Sequence, residues 1–287
     1  MNLHFRAFSF VDRITSLQPR TRITGSYTIP SGLNDFPASL AAEAIGQLAA
    51  WAAMSAVDFK SRPVAGLAGR IDLLAPVRPG QVLELDAELE SVDEEAVAYS
   101  GGARADGTPV IRLQHCVGPM VPVADFDDPQ AVRDRFALLC GQGAIPEAFN
   151  GIPFLPLERT GGDAGQCLRA TLRVPVTAAL FGDHFPRRPV LPGTLLMNAN
   201  LQLASALAAE IPLPSGCDTW ILRTILDVKL RAFIPPGEVL EFEAVLDECS
   251  DHTAVLAVET RSFDKSRAGG KRVVGSARVL LSTEECA

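Results

Sequence analysis

The second half of this 287-residue chain repeats the first, which points to two copies of one fold in a single chain. RPGQVLELDAEL (78–89) matches PPGEVLEFEAVL (235–246) at an offset of 157, with Gly80 over Gly237, Leu83 over Leu240 and Leu85 over Phe242. Both runs begin at a Pro-Gly turn and then alternate apolar with acidic residues, the period of a strand with one buried face. FPASLAAEAIGQLAA (36–50) matches LPGTLLMNANLQLAS (191–205) at an offset of 155, which sets Pro37 over Pro192, Glu43 over Asn198 and Gln47 over Gln202. Each of these segments opens with proline, favoured at a first helical position, and stays apolar nearly all round, as an enclosed helix does. Upstream, FSFVDR (8–13) pairs with FLPLER (154–159), and SYTIP (26–30) with TLRVP (171–175).

Each half therefore reads as strand, loop, one long buried helix and several hairpin strands. SGGARADG (100–107) and KSRAGGK (265–271) are expected to be Gly-rich turns. The class is α+β: two copies of an antiparallel sheet wrapped on a helix, related by a two-fold axis inside one chain. The expected units are residues 1–124, a helical linker at 125–150 with spacing at Val132, Phe136 and Leu139, and residues 151–287.

Composition narrows the functional class. With 26 basic and 34 acidic side chains the net charge is −8, which argues against nucleic acid as the main partner. None of the six cysteines forms a CxxC pair, so reduced thiols in a cytoplasmic protein are expected. The first residues lack the apolar core of a signal peptide. The longest apolar stretch, 41–57, is interrupted by Glu43 and Gln47 and falls short of the ~20 residues of a membrane span. No zinc spacing, dinucleotide loop or Walker loop is present, so neither metal nor nucleotide cofactor is expected.

The halves differ where chemistry would sit. Six residues separate Pro30 from Pro37, whereas sixteen separate Pro175 from Pro192. The longer loop carries Phe181-Gly182-Asp183-His184-Phe185-Pro186-Arg187-Arg188-Pro189. Conversely, the first copy has the acid Glu43 where the second has the amide Asn198. The other histidines, His4, His115 and His252, stand outside any motif and read as structural or exposed.

FGDHFPRRPVLPGTLLMNANLQ (181–202) resembles the signature of the hot-dog-fold 3-hydroxyacyl-acyl-carrier-protein dehydratases, roughly GHFPxxPVxPGxLxxEAxxQ. FSFVDR is similar to that family's opening, an aromatic or leucine run followed by VDR. The resemblance implies a double hot-dog with one composite site, His184 from the second copy and Glu43 from the first. Its mirror, with Asn198 and no histidine loop, would be dead.

The chemistry suits these residue types. A neutral imidazole serves as base for the α proton, and a glutamic acid in an apolar pocket protonates the departing hydroxyl, which an asparagine cannot do. The resemblance further implies a thioester-oxygen donor at Gly193 and substrate contacts at Val190, Phe181 and Phe185. Gln47 and Gln202 share helix faces with Glu43 and Asn198 and are expected to orient the acid or hold a water. Arg187 and Arg188 are expected to meet a phosphopantetheine phosphate or an acidic carrier protein. The substrate would be carried on acyl carrier protein or coenzyme A, and further assembly into a homo-oligomer stays open. Two rival readings keep the fold: a hot-dog thioesterase in which Glu43 activates water, and a non-catalytic acyl-chain-binding or partner subunit.

Overall fold

The computed structural model describes residues 5–146, 155–215, 217–264 and 270–283; His4, Cys286 and most of KSRAGGK lie outside them. The first copy runs β1 (Arg13–Gln18), β2 (Arg22–Thr28), α1 (Ala38–Ala56), β3 (Ser61–Pro63), β4 (Leu67–Leu73), β5 (Val82–Val92), β6 (Ala96–Ala105) and β7 (Thr108–Pro122). A short helix α2 (Val123–Phe126) and α3 (Pro129–Cys140) follow. The second copy runs β8 (Glu158–Asp163), β9 (Cys167–Arg173), α4 (Gly193–Ala208), β10 (Trp220–Leu230), β11 (Val239–Cys249), β12 (Thr253–Asp264) and β13 (Gly270–Thr283).

All strands but β3 follow one antiparallel path, β1-β2-β5-β6-β7-β4-β10-β13-β12-β11-β9-β8, while β3 pairs with β7. The path is a palindrome about the β4–β10 seam, where Ile71 faces Ile225. The duplication holds at single-residue resolution. β5 and β11 begin and end 157 residues apart, and α1 and α4 begin 155 apart. The register repeats too: Leu89 opposes Tyr99 as Leu246 opposes Leu256. The fold is a double hot-dog, one sheet wrapped around two central helices that pack on each other.

Three local expectations change. Pro37 and Pro192 are the N-cap residues, with ψ of 141° and 136°, and each helix starts one residue later. Proline's missing N–H costs nothing there, and its extended ψ turns the chain into the helix. FSFVDR and FLPLER are slipped by one residue, because β1 and β8 superimpose at an offset of 145 through a bulge repeated at Ile14/Ser16 and Arg159/Gly161. SGGARADG is mostly strand: the turn is Asp106-Gly107, both at positive φ, and Gly101 and Gly102 lie inside β6. A Cβ at Gly101 would come within 2.6 Å of Ile45 and of the Asp86 carbonyl, so helix and sheet meet there only over glycine.

α1 is enclosed because its apolar residues leave no polar stripe; Leu40, Ala44, Ile45, Leu48 and Ala52 are fully buried. Truncating Leu48 to alanine would cost about 2–5 kcal/mol by the usual cavity rule. α3 is capped by Asp128, whose carboxylate accepts from the Gln130 and Ala131 N–H groups. It lays Val132 and Leu139 into the core and Phe136 against Trp51. Among the described residues no helix is long and apolar enough to cross a membrane.

Candidate active site

The enclosure of α1 makes its one carboxylate conspicuous. Glu43 sits on the second turn and faces a cavity of about 200 Å³ between the copies. One oxygen accepts from Gln47 Nε2 at 2.9 Å, the other from Thr194 Oγ1 of the second copy at 2.8 Å. Burial raises its pKa above the usual glutamate range, outweighing those two hydrogen bonds and the charge of Arg62. Gln47 is itself fixed: its Oε1 accepts from the Phe10 N–H at 2.8 Å, and its Nε2 also donates to the Phe8 carbonyl at 3.0 Å.

His184 reaches the same cavity from the other copy. Its loop follows a 3-10 turn at Ala179–Gly182 and closes by the Val190 N–H donating to the His184 carbonyl at 3.1 Å. Nδ1 stands 3.1 Å from the Val190 carbonyl, which can only accept, so Nδ1 carries the proton and Nε2 keeps its lone pair. Burial lowers the imidazole pKa to about 4, helped by Arg62 and opposed by the hydrogen bond to Val190. The ring is therefore neutral and basic at neutral pH. Phe185 stacks on it at 4.1 Å, and Phe8 of the first copy meets it edge-on at 5.7 Å.

Gly193 also lines the cavity as the first residue of α4, where its N–H is an orphan donor at the positive helix end. Thus the structure brings Glu43, Gln47, His184, Phe185 and Gly193 together around one cavity.

Other expected site residues are placed elsewhere. Phe181 is buried in the main core rather than in the cavity wall, because the 3-10 turn points it inward. Val190 contributes its carbonyl to His184, while its side chain packs with Phe126 and Phe185 in a separate small cluster. Gln202 is exposed and outside the cavity. Arg187 donates to the Ala124 carbonyl at 2.8 Å and pairs with Asp128 at 3.2 Å. Arg188 lies over Phe126 and Phe233. Both arginines fasten the histidine loop to its surroundings while remaining exposed.

Four contributors escaped the sequence reading. Arg62, on β3, lies 3.9 Å over the Phe185 ring and pairs with the buried Asp127 at 3.4 Å. Burial pushes its guanidinium pKa down to about 10. Nothing in the sequence marks this arginine. Tyr99 lines the cavity opposite Gly46, and burial holds its phenol well above the usual range. Thr194 had a signal available: the repeat places the hydroxyl of Ser39 beneath it. Asp183 stands in the motif beside His184.

Comparison with known proteins bears on the family and the fold. Residues 161–269 match the family model described as ApeI-like, ApeI dehydratase. The 3-hydroxyacyl-acyl-carrier-protein dehydratase FabZ of Rickettsia rickettsii (strain Sheila Smith) is 34% identical over 97 residues, 33% of this chain and 67% of FabZ. Among solved structures, a putative oleoyl thioesterase from Lactobacillus plantarum is similar at a TM-score of 0.58 and 11% identity, covering 91% of this chain and 96% of that one. A MaoC-like dehydratase is similar at 0.53 and 13% identity, covering 94% and 98%. The two structural likenesses establish the fold. The chain belongs to the hot-dog 3-hydroxyacyl-acyl-carrier-protein dehydratase family.

Proposed function

We propose that this protein dehydrates a 3-hydroxyacyl thioester, carried on acyl carrier protein or coenzyme A, to the trans-2-enoyl thioester at one composite site. The observation that carries this reading is that His184 and Glu43, from opposite copies, line one cavity, where burial favours the neutral form of each. His184 Nε2 takes the α proton, and the electrons left on carbon form the double bond as the C–O bond breaks. Glu43, whose neutral form burial favours, gives its proton to the departing hydroxyl, which leaves as water. The Gly193 N–H stabilises charge on the thioester oxygen. Two proton transfers balance the reaction, so no cofactor is required beyond the carrier's phosphopantetheine arm. Arg187 and Arg188, exposed beside the histidine loop, are the proposed contacts for that arm or its carrier.

The test is turnover of a 3-hydroxyacyl thioester, with enoyl product and free thiol followed together in wild type, His184→Ala and Glu43→Gln. Enoyl formation is expected in wild type and a loss of roughly 10²–10⁴-fold in each variant. Thiol release without enoyl would replace this reading with thioester hydrolysis. Binding without turnover would leave an acyl-chain carrier.

A further inference from the structure

Base and acid belong to different copies, so some element must hold the two copies in register at the site. Asp183, the residue before His184, is almost fully buried. Its Oδ2 accepts from the Ala7 N–H at 2.8 Å, the Phe8 N–H at 2.6 Å and the Ser9 hydroxyl at 3.2 Å. Arg135 is a cation that feels its charge. The tethered segment continues to Gln47, which bonds both the Phe8 carbonyl and the Phe10 N–H and also holds Glu43. Phe8 further rests against the His184 ring. An unbroken series of contacts thus runs from His184 through Asp183, residues 7–10 and Gln47 to Glu43.

We propose that Asp183 is a positioning residue, which through residues 7–10 sets the separation of base and acid for the reaction. The proposal rests on the dehydratase reading of the site. Its carboxylate matches the segment because two consecutive N–H groups and a hydroxyl converge on one oxygen, and an anion is the stronger acceptor for such a set. A side chain that only plugged the loop would need no acceptor directed at a segment some 175 residues away. Misplacement of a catalytic group by about 1 Å can cost ~10²-fold in rate, so loosening this tether should appear in kcat.

The experiment compares Asp183→Ala, Asp183→Asn and Ala7→Pro with wild type and His184→Ala, measuring kcat, KM and Tm on one 3-hydroxyacyl thioester. Asp183→Ala is expected to lose roughly 30–100-fold in kcat with KM within about twofold. Asp183→Asn keeps an acceptor oxygen and should recover most of that loss. Ala7→Pro removes one donor without touching the histidine loop and should lower kcat about fivefold at unchanged KM. Should Asp183→Ala fail to fold, Ala7→Pro still decides. Unchanged kcat in whichever of Asp183→Ala and Ala7→Pro folds overturns the proposal, as does a loss confined to KM. Failure of the underlying reading looks different, for then His184→Ala itself retains turnover.

Discussion

The two ends of the pseudo-two-fold axis present the same backbone and opposite chemistry. At one end Thr194 donates to Glu43 at 2.8 Å; at the other Ser39, its repeat mate, donates to Asn198 at 3.3 Å. Gln47 is locked by two backbone groups, whereas its mate Gln202 points to solvent. Gly46 and Tyr99 leave room beside Glu43, while the equivalent positions hold the buried Leu201 and Leu256. The second end therefore carries leucines and an amide where the first carries glycine, tyrosine and an acid. Fold symmetry and side-chain asymmetry coexist because the hydroxyl-to-helix contact recurs at both ends, while the histidine loop belongs to one copy.

The largest expected effect comes from making the live end chemically identical to the silent one. Glu43→Asn removes the acid while keeping an acceptor for Thr194, and turnover should fall by roughly 10²–10⁴-fold. The reciprocal Asn198→Glu should leave the rate within about twofold, since the matching loop of the first copy, residues 31–36, contains no histidine and buried leucines stand at positions 201 and 256. A rate increase in Asn198→Glu would show that the mirror site lacked only its acid, and the comparison would collapse.

A second exchange concerns shape. Gly46→Leu imports the residue of the silent helix into the live one. A Cβ at Gly46 would stand 3.3 Å from the Tyr99 hydroxyl, so the longer side chain must enter the cavity. Helix propensity gains about 0.5–1 kcal/mol from losing glycine, against an overpacking cost of ~1–3 kcal/mol, so Tm should move little. The expected outcome is a fall in kcat/KM of tenfold or more for long acyl chains and a smaller fall for short ones. Equal loss at every chain length would mean that the acyl tail does not pass Gly46.

What the sequence could reveal tracks the range of each signal. Strand alternation and the all-apolar helices are local, so the repeat exposed the architecture, while the pairing of His184 with Glu43 came from the resemblance of 181–202 to the dehydratase motif. The bulge is common to β1 and β8 at one offset and cannot have shifted them; FSFVDR and FLPLER are too short and too dissimilar for their offset to be read to the residue. Contacts between segments distant in sequence left no trace in the chain. Arg62 over Phe185, Asp183 on residues 7–9, and Tyr99 opposite Gly46 join segments that no periodicity relates. Phe181 was misplaced for a related reason: the loop's identity was legible, but the direction of its 3-10 turn was not.

The glutamines offer a smaller contrast. Gln47→Ala breaks three hydrogen bonds and should lower both stability, by about 1–3 kcal/mol, and kcat. Gln202→Ala, at an exposed position, should stay within ~0.5 kcal/mol in stability and leave the rate unchanged. Thermal unfolding and steady-state kinetics on the pair check this. Equal effects would mean that Gln47 acts only as part of the helix surface.

The smallest effect is also the most specific to the mechanism. The working form needs His184 neutral and Glu43 protonated, so kcat/KM should rise as pH passes the imidazole pKa of about 4 and fall above the ordinary glutamate range. Thr194 donates to the Glu43 carboxylate and thereby favours its charged form. Thr194→Val removes that donor at nearly constant shape, which raises the Glu43 pKa further and carries the alkaline limb to higher pH. At neutral pH the rate should stay within ~5-fold, the worth of one hydrogen bond. Ser39→Ala, at the silent end, should leave both limbs in place. An alkaline limb that moves downward in Thr194→Val, or moves equally in Ser39→Ala, would take from Glu43 the role of proton donor.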